Sequence, residues 1–354
     1  MEGPAGPGGL PLHEYLDHRS RTPDGALLWE NNGWSVRGTV DGKDFLLWTS
    51  PYLLKGYAGG AFRLDRATVT QTMLIFADDL SSKLEQPNDF VAVGWEPDQA
   101  GTWDDWTVEH SEAGVRWASK DRQVETTPRS WRITGDHAGV ELDLELRPDR
   151  PALWLSPPEE PLGARQDRWW IATAHVEGTM RLEGSPQPVS AHALHERHIH
   201  MGTRYNPVTL LRGEGVTWHS GSTEGLSYSL LARPALGLYW AQLDVGGRVL
   251  DTRDAAQVSL SATDHWVDPE TSLYLPREWE LHIDADDVRL DLVTTAHARA
   301  YYVWNFLRDG ITVLYWWVCT SQGRLTTREG TRELPMVRAE AHLNKTIYEA
   351  RRPH

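Results

Sequence analysis

The stretch Glu141-Leu142-Asp143-Leu144-Glu145-Leu146 decides the fold. Three leucines alternate with three carboxylates. An extended strand points successive side chains to opposite faces, so it sorts them into one apolar and one charged face. Val288-Arg289-Leu290-Asp291-Leu292-Val293, far along the chain, behaves similarly. Between such runs lie the turn signals Asp41-Gly42, Glu183-Gly184, Gly246-Gly247 and Asp309-Gly310. Each is flanked by segments rich in β-branched or aromatic residues, which is the pattern of a hairpin. Helical signals are scarce, although Val337 to Ala350 also admits a short C-terminal helix. Many strands joined by tight turns make an antiparallel sandwich or barrel. No fixed-period repeat is present, which sets a propeller aside.

A chain of 354 residues is too long for one ordinary core, so two domains are expected. The segment from Pro148 to Gly163 carries five prolines and reads as a long loop within the first half. The boundary is easier to place between Arg204 and Gly215, after a strand that ends at Met201. That gives domains over 12–205 and 206–354. The Gly- and Pro-rich residues 1–11 read as a disordered tail.

Thirty-five basic residues against 50 acidic ones give a net charge of −15. That balance argues against nucleic acid and against an anionic membrane surface, both of which need an excess of Lys and Arg. No N-terminal stretch pairs a basic region with an apolar one, and no apolar run reaches the roughly 18 residues of a membrane span. A cytoplasmic protein is the simplest expectation. The single cysteine, Cys319, closes the apolar run Val313-Leu314-Tyr315-Trp316-Trp317-Val318-Cys319 and reads as a buried, inert thiol.

Eighteen tryptophans stand against five phenylalanines. Tryptophan is bulky, rigid and carries one N–H donor, which suits the wall of a pocket that holds an apolar molecule by shape. Core filling is the more frequent role of any single Trp, but the set points to a partly Trp-lined cavity. Trp29, Trp34, Trp48, Trp169, Trp170, Trp316 and Trp317 lie in strand-like runs. In the pairs Trp169-Trp170 and Trp316-Trp317 the neighbours face opposite sides, so one of each pair can face a lumen. The ligand-binding candidates are Trp34, Trp48, Tyr52, Trp169, Trp170, His200 and Trp316.

The sharpest local feature is the run from Val189 to His200, which carries His192, His195, Glu196, Arg197, His198 and His200. On a strand His192, Glu196, His198 and His200 share one face, while His195 and Arg197 share the other. Three readings compete. Two histidines and a carboxylate resemble a metal set, although ligands crowded on one straight strand rarely converge. A histidine beside a carboxylate can move a proton near neutral pH. The plainest reading is polar groups satisfied by cross-strand partners or water. No Gly-rich phosphate loop, Gly-x-Ser-x-Gly elbow or paired-Cys motif occurs. His219 and His265 read as structural.

Three separated stretches, from Asn32 to Val40, from Val176 to Gly184 and from Trp266 to Leu281, resemble the AttH-like superfamily, which includes carotenoid hydratases of the hydroxyneurosporene synthase type and lipocalin-like Diels–Alderases. The first is Asn32-Gly33-Trp34-Ser35-Val36-Arg37-Gly38-Thr39-Val40, followed by the run Thr72 to Asp78. The second is Val176 to Gly184, leading into the His-rich strand. The third and most specific is the run from Trp266 to Leu281, similar to the family's Trp-x-Ser-Pro … Tyr-Pro-x-x-Trp signature, with one extra residue between Tyr274 and Pro276. Where the family often carries Asp-His-x-Trp, this chain has Arg197, His198, Ile199 and His200, with Glu196 one place earlier. The resemblance implies an all-β protein of two lipocalin-like antiparallel barrels packed together, with a ligand pocket inside or between them.

The leading expectation is a cofactor-free enzyme that folds an apolar polyene or polyketide-like substrate and promotes a cyclisation, such as a [4+2] cycloaddition. A rigid aromatic cavity holds the reactive conformer, and one hydrogen bond to a substrate carbonyl lowers the barrier further. His198 and Arg197 are the expected donors or acid–base groups, oriented by Glu196 and His195. At most one of Arg197 and His198 faces a given lumen. No metal and no cofactor is assigned. The alternatives are a hydratase or isomerase, in which His198 protonates an alkene with Glu196 in support, and a non-catalytic carrier of an apolar metabolite.

Overall fold

In the computed structural model, residues 6–22, 24, 26–57, 63–64, 68–93, 106–120, 122–137, 139–156, 166–182, 184–202, 211–305 and 310–349 are described. They form two antiparallel sheets. The first begins with β1 (Leu27–Val40), β2 (Lys43–Tyr57), β3 (Arg63–Leu64), β4 (Thr68–Ala77) and β5 (Phe90–Val93). It continues through the short strands β6 (Thr107–Ser111), β7 (Gly114–Ser119), β8 (Arg122–Thr126) and β9 (Trp131–His137). It is completed by β10 (Val140–Pro148), β11 (Leu153–Ser156), β12 (Gln166–Arg181) and β13 (Gln187–Gly202). The second sheet opens with β14 (Val216–Thr223), β15 (Leu226–Arg233), β16 (Leu238–Val245), β17 (Arg248–Thr252) and β18 (Val258–Val267). The longer strands β19 (Tyr274–Ala285), β20 (Val288–Asn305), β21 (Gly310–Thr327) and β22 (Gly330–Glu349) follow.

In each sheet the opening strand pairs with the closing one, β1 with β13 and β14 with β22, and each sheet curls around its own core. This is the all-β architecture of two lipocalin-like domains. The chain passes from one sheet to the other between Gly202 and Val216.

The deciding stretch lies on β10, where Leu142, Leu144 and Leu146 are buried and Glu141 and Asp143 exposed. Asp41-Gly42 joins β1 to β2 and Gly246-Gly247 joins β16 to β17, with positive φ at all four residues. That is the two-residue turn whose twist matches paired strands. Glu183 and Asp309 lie outside the described residues.

Three expectations change. Val337 to Ala350 is extended over its described length: β22 pairs with β21 and β14. Backbone bonds to two neighbours and burial of Val337, Ala339 and Ala341 override the helical propensity of the alanines. The proline-rich loop after Pro148 contains β11, which adds to β12. The tail is ordered from Gly6: Pro7–Gly9 make a 3-10 turn, Ala152 donates its N–H to Gly8, and Leu10 is buried in the first core. Cys319 is buried, and burial pushes its thiol pKa up, as befits an inert group. No helix among the described residues is long and apolar enough to cross a membrane.

The first sheet uses both faces. One encloses a core built on Trp34, Trp117, Trp131 and Trp170. The other meets the second sheet, where Trp29, Leu46, Trp48, Tyr52, Met73 and Ile75 join Ala298, Ala300, Tyr302, Leu314, Trp316 and Val318 in one apolar cluster.

Candidate functional site

The register of β13 fixes which of its polar residues meet the second sheet. His198 lies opposite Trp169 on β12 and Asn31 on β1, and Glu196 lies opposite Ile171 and Gly33. Glu196 and His198 therefore share a face with Asn31 and Trp169, which borders a cavity between the two sheets. Counting its open mouth, the cavity holds about 920 Å³ of space between protein atoms. The first sheet contributes Trp29, Asn31, Trp48, Tyr52, Gln71, Trp169, Glu196 and His198. The second contributes Trp218, Arg233, Leu314, Trp316, His342 and Asn344.

The wall is largely indole. Trp48 and Trp316 approach from opposite sheets with ring centroids 5.7 Å apart. Trp169 meets Trp218 edge to face at 5.9 Å. Gly33 makes room for this arrangement: a Cβ there would lie 2.5 Å from the Trp48 ring. Gln71 anchors two wall residues, its Oε1 accepting from Trp48 Nε1 at 3.0 Å and from the Tyr52 hydroxyl at 3.1 Å. Three buried polar atoms of lining residues, Gln71 Nε2, Trp316 Nε1 and Asn344 Oδ1, have no hydrogen-bond partner among the described residues.

Two carboxyl groups, Glu196 at the cavity and Glu340 hydrogen-bonded to the lining residue His342, are pushed in opposite directions. Burial raises the Glu196 pKa above its ordinary value. His198, Asn31, Trp169 and His342 act the other way without cancelling it. Its Oε1 accepts from Trp169 Nε1 at 2.8 Å and its Oε2 from Asn31 Nδ2 at 3.0 Å, which fixes the group at the cavity edge. Glu340, behind the wall, is the counterpart. Burial would raise it too, but His342 and hydrogen bonds from His342, Ser220 and Ser35 leave it below its ordinary value. His342 Nε2 is 3.1 Å from Glu340 Oε2, and Ser220 donates to Oε1 at 2.6 Å. A carboxyl held toward its neutral form thus faces a histidine held by a carboxylate.

The structure divides the sequence candidates by strand parity. Glu196, His198, Trp48, Tyr52, Trp169 and Trp316 come together at the cavity. His195, Arg197, Trp34 and Trp170 do not: they face the first sheet's core. His195 is sandwiched between Trp34, at 4.4 Å and 3°, and Tyr15, at 5.8 Å. Its Nδ1–H donates to the Gly33 carbonyl at 2.7 Å, and burial brings its pKa down to about 3, so the ring stays neutral. Arg197 donates to the carbonyls of Glu14 and Asn31 and to the carboxylate of Glu30, which His18 also contacts. A residue so fully used inside a core orients nothing at the cavity. His200 shares the face of His198, with ring centroids 6.4 Å apart, but lies beyond the cavity lining.

Among the described residues, Glu196, His198 and His200 do not converge as a ligand set. Sequence reasoning missed Asn31, Gln71, Trp218, Glu340 and His342. The last two stand out in Arg338-Ala339-Glu340-Ala341-His342, where polar residues alternate with alanine as on a strand. His219, by contrast, packs edge to face on Trp279 in the second core, and His265 stacks on Tyr274.

Fold and cavity define a class: two lipocalin-like sheets enclosing an aromatic cleft between them. Among solved structures, that of "a putative AttH" from Nitrosomonas europaea is similar, with a TM-score of 0.55 and 14% identity over 94% of this chain and 95% of that one. CghA solved with Sch210972 is similar with a TM-score of 0.53 and 10% identity, covering 91% of this chain and 89% of that one. A further CghA structure gives 0.54 and 10%. These likenesses show a shared fold. No family model and no curated protein matches the sequence.

Proposed function

We propose that the protein is an enzyme that binds an apolar, conjugated small molecule between its two sheets and cyclises it without a cofactor. The observation that carries this reading is Glu196, a carboxyl raised toward its neutral form by burial, at the edge of a cavity walled by Trp29, Trp48, Trp169, Trp218 and Trp316. A protonated Glu196 donates a hydrogen bond to a substrate carbonyl and draws electron density from the conjugated system. The indoles hold the chain in its reactive conformer. Orientation contributes most of the acceleration in such a reaction, and a pre-set donor adds about 10²–10³-fold. The unpartnered Trp316 N–H is a second donor for the same polar handle. The fold shared with CghA, solved with Sch210972, and the resemblance to lipocalin-like Diels–Alderases support the choice of cyclisation.

A second reading follows from His342 and Glu340. A histidine held by a carboxylate, across from an acid, is the equipment for proton transfer to and from an alkene, hence for hydration or isomerisation. Mass spectrometry of the ligand carried by the purified protein, before and after incubation, separates the readings. Cyclisation yields a product of unchanged mass and fewer double bonds. Hydration adds one water. A ligand that leaves the protein unaltered makes it a carrier and overturns the proposal.

A further inference from the structure

At the far end of the same sheet face lies a second polar constellation. His175 on β12 and His192 on β13 are directly opposed partners, with ring centroids 4.5 Å apart. Asp149 follows the end of β10. Its N–H donates to the Thr173 carbonyl at 3.2 Å, and the Thr173 hydroxyl donates to its Oδ1. One ligand atom from each of Asp149, His175 and His192 lies within 4.8 Å of the others.

We propose that Asp149, His175 and His192 bind a divalent transition-metal ion of the zinc, cobalt or nickel type. Two imidazoles and one carboxylate are the facial set that such ions accept while leaving positions open. Around one ion, with bonds near 2.1 Å, ligand atoms lie no more than about 4.2 Å apart. Small turns of the rings reach that spacing, and His175 is exposed and free to make them. No described residue hydrogen-bonds the ring nitrogens of either histidine.

Cations border the site and must be weighed. Arg150 Nε is 4.0 Å from Asp149 Oδ1, while its terminal nitrogens are committed to Ser227 and Ser229 on β15. Arg37 and Arg338 line the same groove as His175 and His192, but both pair with Asp44, at 2.7 and 3.1 Å. The Thr173 hydroxyl plays the outer role that fixes a ligating carboxylate. Four residues along β13 separate His192 from Glu196, about 13 Å. The ion therefore clamps the chain after β10 to β12 and β13 and takes no part in the cavity chemistry.

The test is titration of the full, untagged, chelator-stripped protein with Co(II), followed by its visible absorption and by calorimetry. One equivalent is expected to bind with the spectrum of a mixed nitrogen–oxygen site. Thr173→Val should weaken binding about 10–100-fold, and His192→Gln or Asp149→Asn should weaken it more. Glu196→Gln and His198→Gln should leave it unchanged. Absence of stoichiometric binding, or binding that survives the His175→Gln/His192→Gln pair, overturns the proposal. Where a variant loses its native circular dichroism, anomalous diffraction from the wild-type protein with Co(II) decides. A peak among the three side chains supports the site, and no peak there overturns it.

Discussion

Trp169 donates its indole N–H to Glu196 over 2.8 Å, so one side chain both walls the cavity and holds its acid in place. This bond favours the ionised carboxyl, whereas burial opposes it and prevails. Trp169→Phe keeps an aromatic wall beside His198 but removes the donor. The Glu196 pKa should then rise further. Activity that needs protonated Glu196 is lost as pH rises through that pKa, so the alkaline decline of kcat should move to higher pH in the variant. An unmoved profile would show that Glu196 is not the acid.

His195 and His342 should separate cleanly. His195→Phe fills the slot between Trp34 and Tyr15 but leaves the Gly33 carbonyl without its donor, which costs about 1–3 kcal/mol. Activity of the folded variant should remain near wild type. His342→Gln should cost about 1–3 kcal/mol by weakening the support of buried Glu340 and lower kcat, by about 10²–10⁴-fold if proton transfer is rate-limiting. Denaturant melts paired with turnover assays check both. The opposite pattern would move the site into the first sheet's core.

The parity of β13 explains why its reading stopped short. Alternation separates His195 and Arg197 from Glu196 and His198, but polar residues occupy both the buried face and the half-buried one. A buried His195 and Arg197 on the more apolar face therefore look as functional as Glu196 and His198 on the other. Trp34 and Trp170 were indistinguishable from Trp48 and Trp169 for the same reason. On β10, one face is solvated, and the pattern of leucines and carboxylates was sufficient. Glu340 and His342 escaped notice because alanines gave their segment helical propensity, and only pairing with β14 and β21 makes it a strand.

The buried group of Glu30, His18 and Arg197 should dominate acid sensitivity. Burial pushes Glu30 up, but Arg197 and His18 bring it to about 2. Its folded pKa is thus below its unfolded one, so its contribution is present above the unfolded value near 4.5 and lost as pH falls toward 2. At neutral pH that contribution is on the order of 3 kcal/mol. Arg197→Met should cost about 3–5 kcal/mol by stranding the carboxylate. Melting temperatures from pH 7 to 2 should fall over this window in wild type. Glu30→Gln/Arg197→Met should show a flatter fall.

Gly33→Ala places a methyl group 2.5 Å from the Trp48 ring. The ring must shift within the cavity wall, at a cost of about 1–3 kcal/mol. Ligand affinity should fall, and Trp48→Phe in the same chain should restore part of it. Fluorescence titration with a conjugated fatty acid reads both effects; a Gly33→Ala protein that binds as wild type would mean that the cavity does not depend on Trp48.

The most direct test of the account is a crystal structure of the protein soaked with cis-parinaric acid, a conjugated tetraene carboxylic acid. The account predicts the polyene between the sheets, against Trp48 and Trp316, with its polar end near Glu196, Gln71 or the Trp316 N–H. Polyene lodged inside the first sheet against Trp34 and His195, or a cavity that stays free of it at saturating concentration, would contradict the account.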